Sequence, residues 1–325
     1  MRGYLPATLL AVLGLSCGAS SGEEVATDVV GFQPFSLREG AGVLAIKRNG
    51  DAVDYRSNAE PTTLPGLKLR RVLLPFVEQV DGKFLQIALN QTSPLAPAKI
   101  VVPSSVVRCF PGYRCQTDSG DIVDPDSFAQ PTLRDFPEGR GATTCDGSYC
   151  IVEGRAVALD GSKRVIPGTV SEVVTVSWVD IGSTLHRGGY AFLRTDGSVA
   201  TAGYDFENTL VTELAGLPPI RKIHEGGIYE DYSGRMWYVG VAPEGWADNL
   251  VPAEVPRRQC KVKIGQKLSL LDVPCVGPTL LPALEGMVPQ LIHDNAFIPI
   301  LYALDKEGTL RCWSAPGGPA CVKGE

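Results

Sequence analysis

The sequence predicts an all-β fold, a β-propeller, from three observations. Short runs of alternating apolar residues lead into Asp, Asn, Ser or Glu followed by glycine, and the alternation resumes beyond it; these units recur at near-constant spacing. No stretch carries an apolar stripe of helical period over three turns. The composition is turn-rich, with 36 glycines and 25 prolines, and its 20% of charged residues is low for a helical protein.

The best copies of the unit are Val43-Leu-Ala-Ile-Lys-Arg-Asn-Gly-Asp-Ala-Val53, Ala156-Val-Ala-Leu-Asp-Gly-Ser-Lys-Arg-Val165 and Tyr190-Ala-Phe-Leu-Arg-Thr-Asp-Gly-Ser-Val199. Two more are Glu230-Asp-Tyr-Ser-Gly-Arg-Met-Trp237 and Leu301-Tyr-Ala-Leu-Asp-Lys-Glu-Gly-Thr-Leu310. Glycine is required because tight hairpins need a positive φ, and the acidic or amide side chain bonds the turn's own backbone. Weaker matches stand at Asp81-Gly82, Ser119-Gly120 and Ile264-Gly265. The turn glycines are then 50, 82, 120, 161, 197, 234, 265 and 308, with gaps of 31 to 43 residues. A period of about 37 marks an array, a solenoid or a propeller. A second mark precedes some turns, an apolar segment ending in a kink: Val174-Thr-Val-Ser-Trp178 before Gly182, and Ile223-His-Glu-Gly-Gly227. That makes three strands per repeat, and a fourth fits the connections Leu217-Pro-Pro219 and Val251-Pro252. Four short strands per unit of this length form a propeller blade.

The chain opens on an apolar run from Leu5 to Leu15, behind a start whose one charge is Arg2. The run has the length of a signal-peptide core and is too short to span a bilayer. Leu13-Gly14-Leu15-Ser16-Cys17 resembles a bacterial lipoprotein signal, with Gly14 where that family usually has leucine. The resemblance implies cleavage before Cys17 and acylation of its thiol, so residues 1–16 are the signal, 17–24 a tether and 25–325 the propeller. An ordinary secretory signal cut near Ala19 is the alternative. Either reading exports the chain. The other eight cysteines agree, falling as close neighbours: Cys109/Cys115, Cys145/Cys150, Cys260/Cys275 and Cys312/Cys321. Eight cysteines allow 105 connectivities. A three-residue turn at Pro111 to Tyr113 and a Gly147-Ser148 turn set the first two pairs directly opposite, within disulfide reach. Cys260/Cys275 fits less well, since a turn at Gly265-Gln266 places Leu271 opposite Cys260. Zinc is disfavoured, because no C-x-x-C pair or neighbouring histidine accompanies the cysteines.

Thirty Lys and Arg stand against 36 Asp and Glu, a net charge of −6. This disfavours nucleic acid or an anionic membrane surface as the main partner.

Asp196-Gly197-Ser-Val199, Ser233-Gly234-Arg-Met-Trp237 and Glu307-Gly308-Thr-Leu-Arg-Cys-Trp313 resemble the Asp-Gly-x-Val-x-x-Trp-Gly core of regulator-of-chromosome-condensation-type repeats. The segments Gly182 to His186 and His224 to Gly227 resemble that repeat's Gly-x-x-His element. The likeness covers roughly residues 25–325 but is degenerate, lacking the Gly-Gln-Leu-Gly segment and several tryptophans. It implies a seven-bladed propeller, with six or eight open. It implies no nucleotide-exchange role, since an exported chain meets no small GTPase. Secreted members of this type are binding proteins, β-lactamase inhibitors among them.

No nucleophile elbow, H-E-x-x-H, P-loop or dinucleotide fingerprint occurs, so no catalytic residue is assigned. His186, His224 and His293 are expected to bond turn backbones. Asp118-Ser-Gly-Asp121 is a partial serine-protease segment that falls on a repeat turn. Asp121, Asp124 and Asp126 form an acidic loop able to hold calcium, off the EF-hand spacing. Arg257, Arg258, Lys261 and Lys263 make a basic cluster, placed on an outer hairpin because Val262 and Ile264 alternate with the lysines. It suits an anionic envelope polymer or an acidic protein face. Trp246, between repeats, suits a sugar ring or a protein partner, whereas Trp178, Trp237 and Trp313 read as blade core. Asn90-Gln-Thr92 is a glycosylation triplet of little weight in a bacterial setting.

The expected function is a non-enzymatic, monomeric cell-envelope lipoprotein on the outer membrane or cell surface. Its propeller loops bind a protein or glycan partner. The alternative is an exported hydrolase or lyase acting on cell-wall or polysaccharide substrates, which carboxyls with raised pKa converging in a central pocket would favour. A secreted enzyme inhibitor, with a flat aromatic-rich face, is a third.

Overall fold

Six turns share one backbone pattern. The N–H groups of Gly50, Gly82, Gly120, Gly197, Gly234 and Gly308 donate to the carbonyls three residues back, of Lys47, Gln79, Thr117, Arg194, Asp231 and Asp305. Each of these glycines has φ between +82° and +91°, which side-chain-bearing residues rarely adopt. Acidic side chains close several of the turns, as expected: Asp231 accepts from the Ser233 and Arg235 N–H groups, and Asp305 from those of Glu307 and Thr309.

The computed structural model describes residues 22–37, 40–57, 59–87, 100–111, 114–124, 135–159, 165–181, 184–203, 211–242, 250–251, 254–264, 267–293, 299–314 and 321–322. After β1 (Glu23–Ala26), the first blade is β2 (Val29–Leu37), β3 (Gly40–Lys47), β4 (Asp51–Arg56) and the start of β5 (Ala59–Leu73). The remainder of β5 opens the second blade with β6 (Phe76–Gln79), β7 (Phe84–Gln86) and β8 (Ile100–Val101). The third is β9 (Val106–Phe110), β10 (Arg114–Thr117), β11 (Ile122–Val123) and β12 (Asp135–Phe136). A three-stranded meander follows: β13 (Thr144–Asp146), β14 (Tyr149–Val152) and β15 (Arg155–Ala158). Then come β16 (Val170–Ile181), β17 (Thr184–Arg194), β18 (Val199–Gly203) and β19 (Thr212–Glu213). The next blade is β20 (Ile220–His224), β21 (Ile228–Asp231), β22 (Met236–Val241) and β24 (Lys267–Leu280), with β23 (Arg258–Ile264) inserted before its last strand. The last is β25 (Val288–His293), β26 (Pro299–Leu304) and β27 (Leu310–Ser314), completed by β1, whose Glu23 and Glu24 face Cys312 and Arg311. The sheet system therefore starts at Glu23, two residues ahead of the boundary expected from sequence.

The fold is an all-β propeller with six four-stranded blades; the seven blades implied by the family likeness are not supported. The sequence pattern overcounts at two glycines. Gly161 lies outside the described residues, and the turn of its unit is Glu153-Gly154, both at positive φ. That unit has three described strands, and Ile166-Pro167-Gly168 leads from it into β16, where the Val170 N–H donates to the Gly154 carbonyl. Gly265, also outside the described residues, falls in the chain between the inserted strand β23 and β24 and so is not a repeat mark.

Apolar clusters fill the spaces between successive sheets. Val43, Ala45, Val53 and Tyr55 of the first blade pack against Ile300, Tyr302 and Leu310 of the last. The meander is buried on both sides. Phe110 and Ile122 meet its Cys145 and Cys150, and Tyr149 sets its ring edge-on to Tyr190 and Phe192 at 4.9 and 5.1 Å. Ala41 through Ile46 of β3 are all buried, because a blade covered on both faces has no polar side.

The innermost strands run parallel around the axis, as the Val176–Gly226 bridge shows. Antiparallel blades on such a ring send the six glycine turns to one end. The connections between first and second, and between third and fourth, strands go to the other. Three of the four disulfides lie at this second end. Cys109–Cys115 and Cys145–Cys150 join directly opposed residues, each with Cα atoms 4.0 Å apart. Cys260–Cys275 forms as well, with Cα atoms 6.0 Å apart. An irregularity between Lys261 and Val262 adds two residues on β24, so Val273 faces Cys260, and Cys275 falls one same-side position further on. Cys312–Cys321 ties the segment after β27 to that strand.

At the same end β17 pairs in parallel with β23 through Thr184–Lys261 and Leu185–Val262, making an accessory ribbon β16-β17-β23-β24. Trp178, Leu185, Val241, Cys260, Val262 and Cys275 fill it.

Val25 of the closing strand is 1% exposed. Val25→Asp places an unpaired carboxylate there and is expected to destabilise the fold by about 3 kcal/mol, read as a fall in the denaturation midpoint. An unchanged midpoint contradicts the role of β1 in closure.

Candidate functional site

The kink at His224-Glu225-Gly226-Gly227 organises the channel. Gly226 (φ +83°) and Gly227 (φ +100°) carry the chain between its two neighbours. The Ser177 N–H donates to the Gly226 carbonyl and the Gly226 N–H to the Thr175 carbonyl, both 3.2 Å, while the Leu291 N–H donates to the Glu225 carbonyl at 3.1 Å. A Cβ on Gly226 would run into the Leu291 carbonyl. The stretch is thus fixed to the blades on both sides, and the Glu225 side chain opens onto the axis.

There a cavity of about 530 Å³ is lined by Glu225, Gln33 of β2, Asp146 of β13, and Thr175 and Ser177 of β16, with Leu291 among its apolar wall residues. Gln33 Nε2 donates to both Glu225 carboxylate oxygens, at 3.2 and 3.1 Å. The Leu74 N–H holds Gln33 Oε1 at 2.8 Å. Asp146 is 3% exposed; its Oδ1 accepts from Thr175 Oγ1 at 2.7 Å and its Oδ2 from the Thr175 N–H. Burial, reinforced by the Asp146 charge and only partly offset by Gln33, pushes the Glu225 carboxyl up to about 7. Burial likewise raises Asp146 to about 6 against its bonds to Thr175. No lysine, arginine or histidine lines this cavity among the described residues.

Toward the N-terminal ends of the same inner strands lies a second cavity, of about 790 Å³, lined by Glu172, Arg221, Lys222, His224 and Glu230. His224 Nε2 donates to Glu230 Oε2 at 3.1 Å, and Arg221 pairs with the other Glu230 oxygen. Glu172 accepts from the Ile223 N–H at 3.2 Å. Burial and the Lys222 charge lower His224 to about 4 despite Glu230, so the imidazole is neutral near pH 7. The expected backbone contact of this histidine is replaced by a carboxylate. The side chains of His186 and His293 lie outside the described residues.

The basic cluster sits away from the channel. Arg258 and Lys261 are exposed on β23 of the ribbon, Arg257 is half-buried just before it, and Val262 between the lysines is buried, in line with the outward placement expected. Lys263 follows on the same strand, its side chain outside the described residues. Cys17, Trp246, Asp126 and the 90–92 triplet as a whole lie outside the described residues. Asp121 pairs with Arg140 at 3.0 Å and Asp124 approaches Arg114 at 3.9 Å. Among the described residues no group of three or more His, Cys, Asp or Glu is set to hold a metal ion. Asp118-Ser-Gly-Asp121 is the expected turn, with the Ser119 hydroxyl on Asp121. Trp178 and Trp313 are buried and Trp237 partly so. Gln33, Asp146, Thr175 and Glu225 were not singled out by sequence. Glu225 stood inside the kink and Asp146 beside Cys145, but nothing local marked either as facing the axis.

No family model matches the chain, and no curated protein matches it. Among solved structures it is similar to the crystal structure of BBS1N in complex with ARL6DN, soaked with mercury, at 9% identity over 92% of this chain and 95% of that one, with a TM-score of 0.37. A likeness of that size carries no functional argument.

Glu225 and Asp146 bind their protons more tightly in the folded chain than in the unfolded one. Stability therefore falls as pH rises from the ordinary carboxyl range through about 7. Glu225→Gln is expected to remove much of this loss, stabilising the protein at pH 8 by on the order of 2 kcal/mol with little effect at pH 4.5. Urea denaturation at the two pH values reads the difference; equal destabilisation at both contradicts it.

Proposed function

We propose that the protein is an exported, lipid-anchored binding protein of the cell envelope, on the outer membrane or cell surface, whose loop end receives a protein or glycan partner. Cys17 is the anchor in this reading, five residues ahead of Gly22. One observation carries it: three of the four disulfides and the accessory ribbon lie at one end of the propeller. Cross-linked hairpins lose little freedom when a partner docks, which favours binding. The exposed Arg258 and Lys261 add a positive strip there on a net acidic chain, suited to an acidic protein face or anionic glycan.

We also read the six glycine turns as degenerate regulator-of-chromosome-condensation-type repeats. Asp231 supports this, gathering the Ser233 and Arg235 N–H groups and the Trp237 indole N–H at 3.0 Å.

A second reading, an exported hydrolase or lyase on cell-wall or polysaccharide substrates, has one observation in its favour: two carboxyls with raised pKa share the channel cavity. The hydrogen bonds weigh against it, since both Asp146 oxygens accept from Thr175 and both Glu225 oxygens from Gln33.

Intact-mass measurement of the mature protein should give a chain beginning at Cys17 with added acyl groups; an unmodified chain cut near Ala19 refutes the anchor. Pull-down from envelope extract is expected to recover a partner whose yield drops severalfold with Arg258→Glu/Lys261→Glu. Turnover of cell-wall polymer that Glu225→Gln abolishes would replace the binding reading with the enzymatic one.

A further inference from the structure

We propose that the channel cavity is a binding site for a small alkylammonium ion, with Glu225 as its principal counter-charge and Asp146 as a second. It is separate from docking at the loop end and does not depend on it.

Three features of the cavity lead there. First, its described lining is acidic: the two carboxyls come from different sheets, and no cationic side chain lines the space among the described residues. Their hydrogen bonds come from neutral groups, Gln33 and Thr175. A buried carboxylate without a cationic partner costs stability, and such costs persist where a site uses them. Glu225 limits that cost by keeping its proton up to about pH 7.

Second, the group is held in place. Gln33 fixes both Glu225 oxygens and is itself fixed by the Leu74 N–H. The Glu225 backbone is held by Leu291 and that of Gly226 by Thr175 and Ser177. A carboxylate whose side chain and backbone are both held in this way is pre-set for a ligand.

Third, the lining selects the kind of cation. Pro111 and Ile292, both half-buried, give the cavity apolar surface beside its polar groups, matching an alkyl chain that carries an ammonium head. A divalent metal would need more oxygen ligands, and the Asp146 oxygens are already taken by Thr175. A cavity of about 530 Å³ is in the range that holds a small organic molecule.

The test is isothermal titration calorimetry of the mature protein at pH 8 with putrescine, and with 1,4-butanediol and calcium chloride as comparisons. Putrescine is expected to give saturable binding and butanediol none. Glu225→Gln, which should fold at least as stably at this pH, is expected to weaken putrescine about tenfold or more. Ser177→Lys, which sets a cation in the cavity wall, is expected to abolish binding. Absence of saturable heat with millimolar putrescine overturns the proposal. So does equal binding of butanediol, equal binding by Glu225→Gln, or saturable calcium binding in place of putrescine.

Discussion

Ring closure is the constraint on which the other features rest. A blade of four short strands has two apolar faces and is covered only when a neighbour stands on each side. The first and last blades cover each other through Tyr55, Tyr302 and Leu310, and β1 locks them by adding the outer strand to β25–β27. The two ends of the described chain therefore meet in one sheet, with Cys312–Cys321 holding the segment that follows β27. Strand propensity matters less than this mutual burial, which is why β3 tolerates six consecutive buried residues.

Closing a ring leaves an axis that inner strands cannot fill. Their parallel course brings Gln33, Asp146, Thr175 and Glu225 to one cavity although they are far apart in sequence. The two consecutive glycines after Glu225 let the chain exchange backbone bonds with blades on both sides. The acidic group is thereby held where a more relaxed loop would let it swing to water. The channel's electrostatics are a consequence of ring geometry and of that one kink.

The two ends of the propeller are built to different standards. The glycine-turn end repeats one hydrogen-bonded corner six times, with acidic side chains saturating several turns. The other end carries the disulfide-closed hairpins and the ribbon formed where β17 meets β23. Cross-links are concentrated where connections depart from the repeat, which is where hydrogen-bonded turns no longer hold the chain.

Turn chemistry is local, so it was legible in the sequence: glycine after an acidic or polar residue marked six blade corners, and cysteines six and five residues apart marked two hairpins. The proposed export and acylation at Cys17 rest likewise on a short local pattern. Blade number was not legible, because Gly265 of an insertion and Gly161 beside the meander look like repeat glycines to a reader of spacing alone. Cys260–Cys275 was legible as a pair of sequence neighbours but its register was not, since a two-residue irregularity in β24 leaves no signature in the sequence. The cavity was hidden for a further reason. Glu225 and Asp146 are ordinary carboxylates until the ring closes, and only then does loss of water around the axis, with Gln33 and Thr175 as neutral partners, give them a shared environment and a raised pKa.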